Sequence, residues 1–333
     1  NTATDIVTNA YSNENINGLL DESERSILNA VRVRQTSEFV PIHEILRRAQ
    51  ERLEELSKNK SDITGIRTGF YDLDKATAGL HGGELIILAA RPGMGKTAFA
   101  LNIATNAAFS TEKAIAIFNL EMSAEMLVNR MIASVGGIDS YKLSTGKLEH
   151  NDWKRYNEEM SKLGSTNIFI EDNASITAPE IKSKCRKLAS GPNGLGLVVI
   201  DYLQLVTTGS NRIESRQVEV SEISRSLKTM ALELDVPVIA LAQLSRSVDK
   251  RENKEPALVD LRESGSLEQD ADLVLFLNRK DYYEAKTEKK ETVVPIDVII
   301  AKHRKGSTGL YRLLFELNMS NFKNYISTDI EEI

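Results

Sequence analysis

The apolar run Leu85-Ile86-Ile87-Leu88-Ala89 breaks directly into Ala90-Arg91-Pro92-Gly93-Met94-Gly95-Lys96-Thr97, and the helix-forming stretch Ala98-Phe99-Ala100-Leu101 follows at once. Few local patterns constrain a chain more. A strand feeding a glycine-bearing turn and then a helix commits that turn to the end of a sheet, facing a helix N-terminus. Gly93 and Gly95 let backbone N–H groups approach an anion without a Cβ atom in the way. Lys96 is placed to bind the β- and γ-phosphates of a nucleotide, and Thr97 to hold Mg²⁺ at the positive end of the helix. The general phosphate-loop pattern has glycine where this chain has Ala90. The strand–loop–helix setting outweighs that mismatch, the alternative being an ordinary glycine-rich turn.

Three further apolar runs end in groups suited to nucleotide chemistry. Leu197-Val198-Val199-Ile200-Asp201 reads as a strand closing on an acid, and such a carboxylate can orient Mg²⁺ directly or through water. Glu121 closes the run Ile115–Leu120. The C-terminal ends of strands in an open α/β sheet all face the ligand crevice, so Glu121 can polarise an attacking water; the rival reading is a carboxylate stabilised by a helix N-terminus. Gln243 follows Val236–Leu241 in the same way. It reads either as an amide that senses a γ-phosphate or as a polar strand end.

From Gly65 onward, strand-like runs alternate with amphipathic stretches. Strands are expected at 85–89, 114–119, 167–170, 197–200, 236–241 and 272–277. Helices are expected at 97–109, 124–135, 151–163, 179–189 and 217–234. The alternation implies a mostly parallel sheet with helices on both faces. Ile296–Ala301 and Leu310–Glu316 flank Lys302-His303-Arg304-Lys305-Gly306 and read as a C-terminal β-hairpin. Upstream, Ile42, Ile45, Leu46, Ala49, Leu53 and Leu56 recur three or four apart behind Pro41, giving one apolar helical stripe before the polar stretch Ser57–Asp62.

Composition narrows the class further. The net charge of −6 argues against a protein coated in positive charge for nucleic acid, but leaves room for a few basic loops in a channel. No apolar run approaches the roughly 18 residues that span a bilayer, and the N-terminus lacks the pattern of a signal peptide. The single cysteine, Cys185, reads as an inert thiol in a cytoplasmic protein. The four histidines have no ligand spacing, so no zinc site is expected.

With these residues in view, the chain resembles the C-terminal motor domain of DnaB-type replicative helicases. The phosphate loop 90–97 matches that family's variant, alanine included. Asn119-Leu120-Glu121-Met122, Val199–Leu205, Gln243-Leu244-Ser245-Arg246, Asp260–Asp272 and Lys302-His303-Arg304-Lys305-Gly306 resemble its later motifs in order, so that the match covers about residues 62–327. The resemblance implies a RecA-like P-loop NTPase fold preceded by a helical linker, and an ATP-dependent helicase using ATP or another NTP with Mg²⁺. It implies a homo-hexameric ring moving 5′-to-3′ on single-stranded DNA and opening forked DNA. Primase and a helicase loader are implied partners, in the cytoplasm of a bacterium or of a phage-infected cell.

The resemblance also implies roles. Lys96 and the rest of 90–97 bind the nucleotide, Thr97 and Asp201 hold the metal, and Glu121 activates water. Gln243 couples γ-phosphate state to the DNA loops. Arg130 lies near the γ-phosphate or is a surface arginine. Lys302 and Arg304 reach into a neighbouring subunit's site, or belong to a basic turn exposed to water. Arg262, Glu263 and Gly265 hold the DNA backbone, with Thr207–Arg216 as a second channel loop. Residues 1–20 are expected to be the last part of a largely missing N-terminal helical domain, 21–61 a linker whose helix 41–57 docks on its own or an adjacent motor, and 62–333 the motor itself. Two alternatives share the fold: a recombinase-like filament on single-stranded DNA, and a regulatory ATPase ring that binds no nucleic acid. The linker stripe and Arg262-Glu263-Ser264-Gly265 favour the helicase over the filament. The basic residues Arg246, Lys250, Arg251 and Lys254 count against the regulatory ring.

Overall fold

The computed structural model describes residues 39–58, 61–207, 215–251, 253–282 and 291–325. The chain divides into two units, Asn1–Ser61 and Asp62–Ile333. In the first, helix α1 (Ile42–Lys58) follows Pro41, whose carbonyl accepts the Glu44 N–H at 3.1 Å. Ile42, Ile45, Leu46 and Leu53 are exposed along it. Glu44–Arg48, Arg47–Glu51 and Gln50–Glu54 pair one turn apart, at 3.9, 3.6 and 2.9 Å, each a small support for the helix.

The second unit contains helices α2 (Tyr71–Thr77), α3 (Lys96–Ser110), α4 (Ala124–Gly136), α5 (Ser140–Thr145), α6 (His150–Gly164), α7 (Ala178–Ala189), α8 (Arg216–Leu234) and α9 (Gly265–Asp270). Its strands are β1 (Leu85–Ala90), β2 (Ala114–Asn119), β3 (Ile168–Glu171), β4 (Leu195–Asp201), β5 (Val238–Gln243), β6 (Leu273–Asn278), β7 (Val293–His303), β8 (Gly309–Glu316) and β9 (Asn321–Asn324). They form one sheet in the order β3-β2-β4-β5-β1-β6-β7-β8-β9. The six strands from β3 to β6 run parallel, while β7, β8 and β9 are antiparallel.

Alternation along β1 explains the layering. Ile86, Leu88 and Ala90 pack into one core with Phe99 and Ile103 of α3 and Leu127 and Met131 of α4. Leu85, Ile87 and Ala89 pack into the other with Ile181 of α7 and Val220, Ile223 and Leu227 of α8. Both faces are covered, so the strand reads as an unbroken apolar run.

The structure corrects several boundaries. β5 begins at Val238 and not at Val236. The Val236 N–H bonds to the Ala231 carbonyl at the end of α8, and Pro237 has no N–H to offer a ladder. β4 starts two residues earlier than expected and includes Asp201. The antiparallel hairpin β7–β8 is longer than expected, and β9, absent from the sequence reading, extends it. Phe322 alone anchors β9 in the core, stacked on Phe315 at 4.2 Å and edge-on to Phe99 at 5.0 Å. The short α2, α5 and α9 were also not legible.

Candidate active site

The C-terminal ends of β1, β2, β4 and β5 converge on a hollow of about 440 Å³. Ala90 is still part of β1, paired with Gln243 on one side and Leu277 on the other. It is buried and extended, so no glycine is needed there. Gly93 and Gly95 take φ of +80° and +92°, conformations that side chains rarely adopt. Beneath Gly95 lies the aromatic cluster, and an added Cβ would stand 2.9 Å from Phe315 Cε1. Met94 is buried in the core and contributes only backbone to the loop. Arg91 lines the hollow, while its guanidinium donates to Asp249 and to the Leu244 carbonyl.

Lys96 and Thr97 open α3 beside Asp201. Thr97 Oγ1 donates to Asp201 Oδ2 at 2.6 Å, and Lys96 Nζ lies 3.7 Å from Asp201 Oδ1 and 4.9 Å from the Tyr202 ring centroid. Burial lowers the Lys96 pKa, against the opposing pull of Asp201 and Glu121. Asp201 Oδ1 is buried and accepts no hydrogen bond. Its described ion-pair partner, the Lys96 ammonium, stands beyond hydrogen-bond distance, so the oxygen can still accept from a cation, and a buried carboxylate oxygen is costly until one meets it. Together with the Thr97 hydroxyl it is an oxygen donor set of the kind Mg²⁺ takes.

Glu121 sits just past β2. Asn119 Oδ1 accepts the N–H groups of both Glu121 and Met122 at 2.8 Å, and Ser123 caps α4. The helix N-terminus is therefore served by Ser123, which weakens the reading of Glu121 as a helix-end carboxylate. Glu121, Arg130 and Gln243 all line the same hollow as Lys96 and Thr97. So do Tyr202, Phe315, Leu317 and Ser320, to which the sequence reading gave no role. Tyr202 carried a signal in its place beside Asp201. The other three come from β8 and the turn after it, more than 200 residues from the loop they face, and carried none.

The model of the DnaB-like helicase C-terminal domain matches residues 65–324. The chain belongs to the DnaB-like helicase family. It is 48% identical over 324 residues to the replicative DNA helicase DnaC of Bacillus subtilis, covering 97% of this chain and 70% of that protein. Among solved structures it resembles a separate ATPase domain, with a TM-score of 0.79 and 40% identity over 87% of this chain and 100% of that one. It also resembles a DnaB-like replicative helicase studied for its interactions with primase, with a TM-score of 0.83 and 36% identity over 98% of this chain and 75% of that one. The fold is RecA-like α/β, and membership of the DnaB-like family makes the chain a replicative-helicase-type, ATP-dependent hydrolase. The filament and regulatory-ring alternatives are not favoured.

One pair of residues expected to act in a DnaB-like motor lies away from the hollow. Lys302 and Arg304 sit beside the start of β6, since His303 pairs with Leu273. The hollow is at the other end of the sheet; the six residues of β6 alone span roughly 17 Å. Lys302 Nζ donates to the Glu268 carbonyl at 2.6 Å and to that of Gln269 at 3.4 Å. Arg304 donates to the Gln269 carbonyl at 2.6 Å and to Asp272 Oδ1 at 3.1 Å. Burial, then the neighbouring Arg304, lowers the Lys302 pKa. Anchored contacts of this kind do not fit a turn simply exposed to water, although the Arg304 side chain remains 46% exposed.

The backbone of Arg262 and Glu263 lies in a 3-10 helix (Leu258–Ser264), and Gly265 opens α9. Their side chains, and residues 208–214 of the expected second loop, lie outside the described residues. Of the basic residues 246–254, Arg251 is paired with the buried Asp260. Cys185 is buried, and burial pushes its thiol up to about 12, so the thiol stays protonated. No helix among the described residues is long and apolar enough to cross a membrane.

Proposed function

We propose that this chain is the motor subunit of a hexameric ring that hydrolyses ATP, or a related NTP, to move 5′-to-3′ along single-stranded DNA and open the duplex at a fork. The observation that carries the reading is the single hollow joining Lys96, Thr97, Glu121, Arg130 and Gln243, with Asp201 beside it and Lys302 and Arg304 held at the far end of the sheet. Such a subunit has most of a phosphoryl-transfer site; of the described arginines at its own loop, Arg91 is held by Asp249 and Arg279 by Asp281, which leaves Arg130. In a ring of like subunits, a neighbour's Arg304 completes it.

The roles follow from charge and reach. Backbone N–H groups of 93–97 and the Lys96 ammonium hold the β- and γ-phosphates. Mg²⁺, when bound, neutralises charge developing on the phosphates; Thr97 and Asp201 are its holders. Glu121 accepts a proton from the attacking water, a role suited to an exposed carboxylate that faces the hollow. Gln243, at the end of β5, reports the γ-phosphate to the segment after it. Arg262, Glu263 and Gly265 hold the DNA backbone. The linker helix α1, with its exposed stripe, docks on a neighbouring motor. Primase and a loader are the proposed partners, primase being supported by the likeness to the helicase studied with it, and the setting is the bacterial cytoplasm.

Strand displacement on a fluorescent forked duplex with ATP and Mg²⁺ tests this. Wild type should unwind, Lys96→Ala should not, and Glu121→Gln should bind ATP but fail to hydrolyse it. A protein that hydrolyses ATP without displacing strands would refute the helicase function.

A further inference from the structure

Arg91 stands inside the phosphate loop, yet all the described hydrogen bonds of its side chain go to the segment after β5. Nε donates to the two oxygens of Asp249 at 3.2 and 3.1 Å, Nη2 to Asp249 Oδ2 at 2.6 Å, and Nη1 to the Leu244 carbonyl at 2.9 Å. A forked guanidinium–carboxylate pair fixes orientation as well as distance. The arginine side chain is only 12% exposed, which reduces screening by solvent. Asp249 lies in a 3-10 helix (Arg246–Lys250) that begins three residues after Gln243.

That helix is in turn clasped by Asp260, which is 1% exposed. The Asp260 carbonyl accepts the Ser245 N–H at 3.1 Å. Its carboxylate accepts the Ser247 hydroxyl at 3.2 Å, the Ala257 N–H at 2.8 Å and Arg251 Nη1 at 3.0 Å. Asp260 belongs to the 3-10 helix Leu258–Ser264, whose backbone includes Arg262. One unbroken set of bonds therefore joins the phosphate loop to the segment assigned to DNA, and it bypasses the Gln243 side chain.

We propose that the Arg91–Asp249 pair makes hydrolysis respond to DNA, with Asp249 as a positioning residue that holds the phosphate loop in register with the DNA segment. The inference rests on the helicase reading above. Gln243 then senses the phosphate at the end of β5, while Arg91–Asp249 carries the loop's position to the same segment.

The test uses the assembled full chain and a poly-dT oligonucleotide. ATP turnover is measured with and without poly-dT, and poly-dT affinity by fluorescence anisotropy, for wild type, Asp249→Asn and Asp249→Glu. Asp249→Asn should keep basal turnover and poly-dT affinity near wild type but lose about tenfold in the stimulation ratio, within the usual range of coupling between sites. Asp249→Glu, which keeps the charge, should recover much of that ratio. Stimulation of Asp249→Asn equal to wild type overturns the inference, as does an equal fall in basal and stimulated turnover, which would mark Asp249 as mere support for the loop. Loss of poly-dT affinity as the whole cause also overturns it. A wild-type protein that poly-dT does not stimulate contradicts the helicase reading itself, a result distinct from a stimulated wild type beside an equally stimulated variant.

Discussion

Gly95→Ala probes the tightest point of the phosphate loop. Gly95 has φ +92° and ψ +17°, a backbone conformation that costs an alanine roughly 1–3 kcal/mol. The new Cβ would also meet Phe315 Cε1 at 2.9 Å and Phe322 Cζ at 3.1 Å. Those rings have nowhere to go: Phe315 stacks on Phe322 at 4.2 Å, and Phe322 packs on Phe99 at 5.0 Å. Overpacking of this kind costs about 1–3 kcal/mol more. The sum, roughly 2–6 kcal/mol, is a large share of a domain's net stability. For a domain of this size it corresponds to a fall in Tm on the order of 5–15 °C. If the loop relieves the strain by changing shape, the cost moves from Tm to nucleotide affinity. Thermal melts with and without a non-hydrolysable ATP analogue measure both. A variant that matches wild type in Tm and in the shift given by the analogue would refute the packing argument.

Arg262→Ala should weaken single-stranded DNA binding and flatten its dependence on salt by about one unit of slope, as expected for one lost phosphate contact; normal binding with earlier melting would make Arg262 structural, though Asp260 is already engaged by Arg251. Deleting residues 1–60 should leave the motor folded but make hexamers dissociate at higher concentration in sedimentation; unchanged assembly across dilution would remove the docking role of α1. Burial acts to raise the Glu84 pKa, but hydrogen bonds with His81 and Lys305 outweigh it and bring the value from 4.5 down to about 2. A depressed carboxyl stabilises the fold above its unfolded value and loses that contribution as pH falls through the folded one. Glu84→Gln should therefore lower stability at neutral pH and flatten the loss of stability between about pH 4.5 and 2, and denaturant melts across that window would expose an unchanged acid limb.

Much of the motor was legible because local chemistry and global position agree there. The run 114–119 is β2 residue for residue, and the turn after β1 announced itself through Gly93, Gly95 and Lys96. Glu121 and Gln243 could be placed at the hollow because they close strands of a parallel sheet. What escaped depends on tertiary context. Four residues of β9 carry no period, and Phe322 gains its meaning only from Phe315 and Phe99. Phe315, Leu317 and Ser320 reach the hollow because β8 and β9 lie beyond β6 in the sheet, an order no local pattern encodes. The Arg91–Asp249 pair was not legible because a loop motif assigns positions and not side-chain partners, and Asp249 lies 158 residues away. Likewise, the anchoring of Lys302 and Arg304 by the carbonyls at the end of α9 was invisible before α9 itself was seen.

The central claim is that each active site is shared between subunits, with Arg304 acting on the neighbour's nucleotide. Arg304→Ala should bind ATP yet lose hydrolysis by about three orders of magnitude or more, the scale on which an arginine supplied in trans acts. Lys96→Ala should lose hydrolysis by damaging its own phosphate site. Mixed in equal amounts and allowed to exchange subunits, the two variants should place an intact Lys96 against a neighbour's intact Arg304 at roughly a quarter of the head-to-tail interfaces in a ring. The decisive measurement is ATP turnover of the Arg304→Ala ring alone and of that mixture. The account predicts a nearly silent ring and a mixture that regains activity; an assembled Arg304→Ala ring turning over at near the wild-type rate would contradict it.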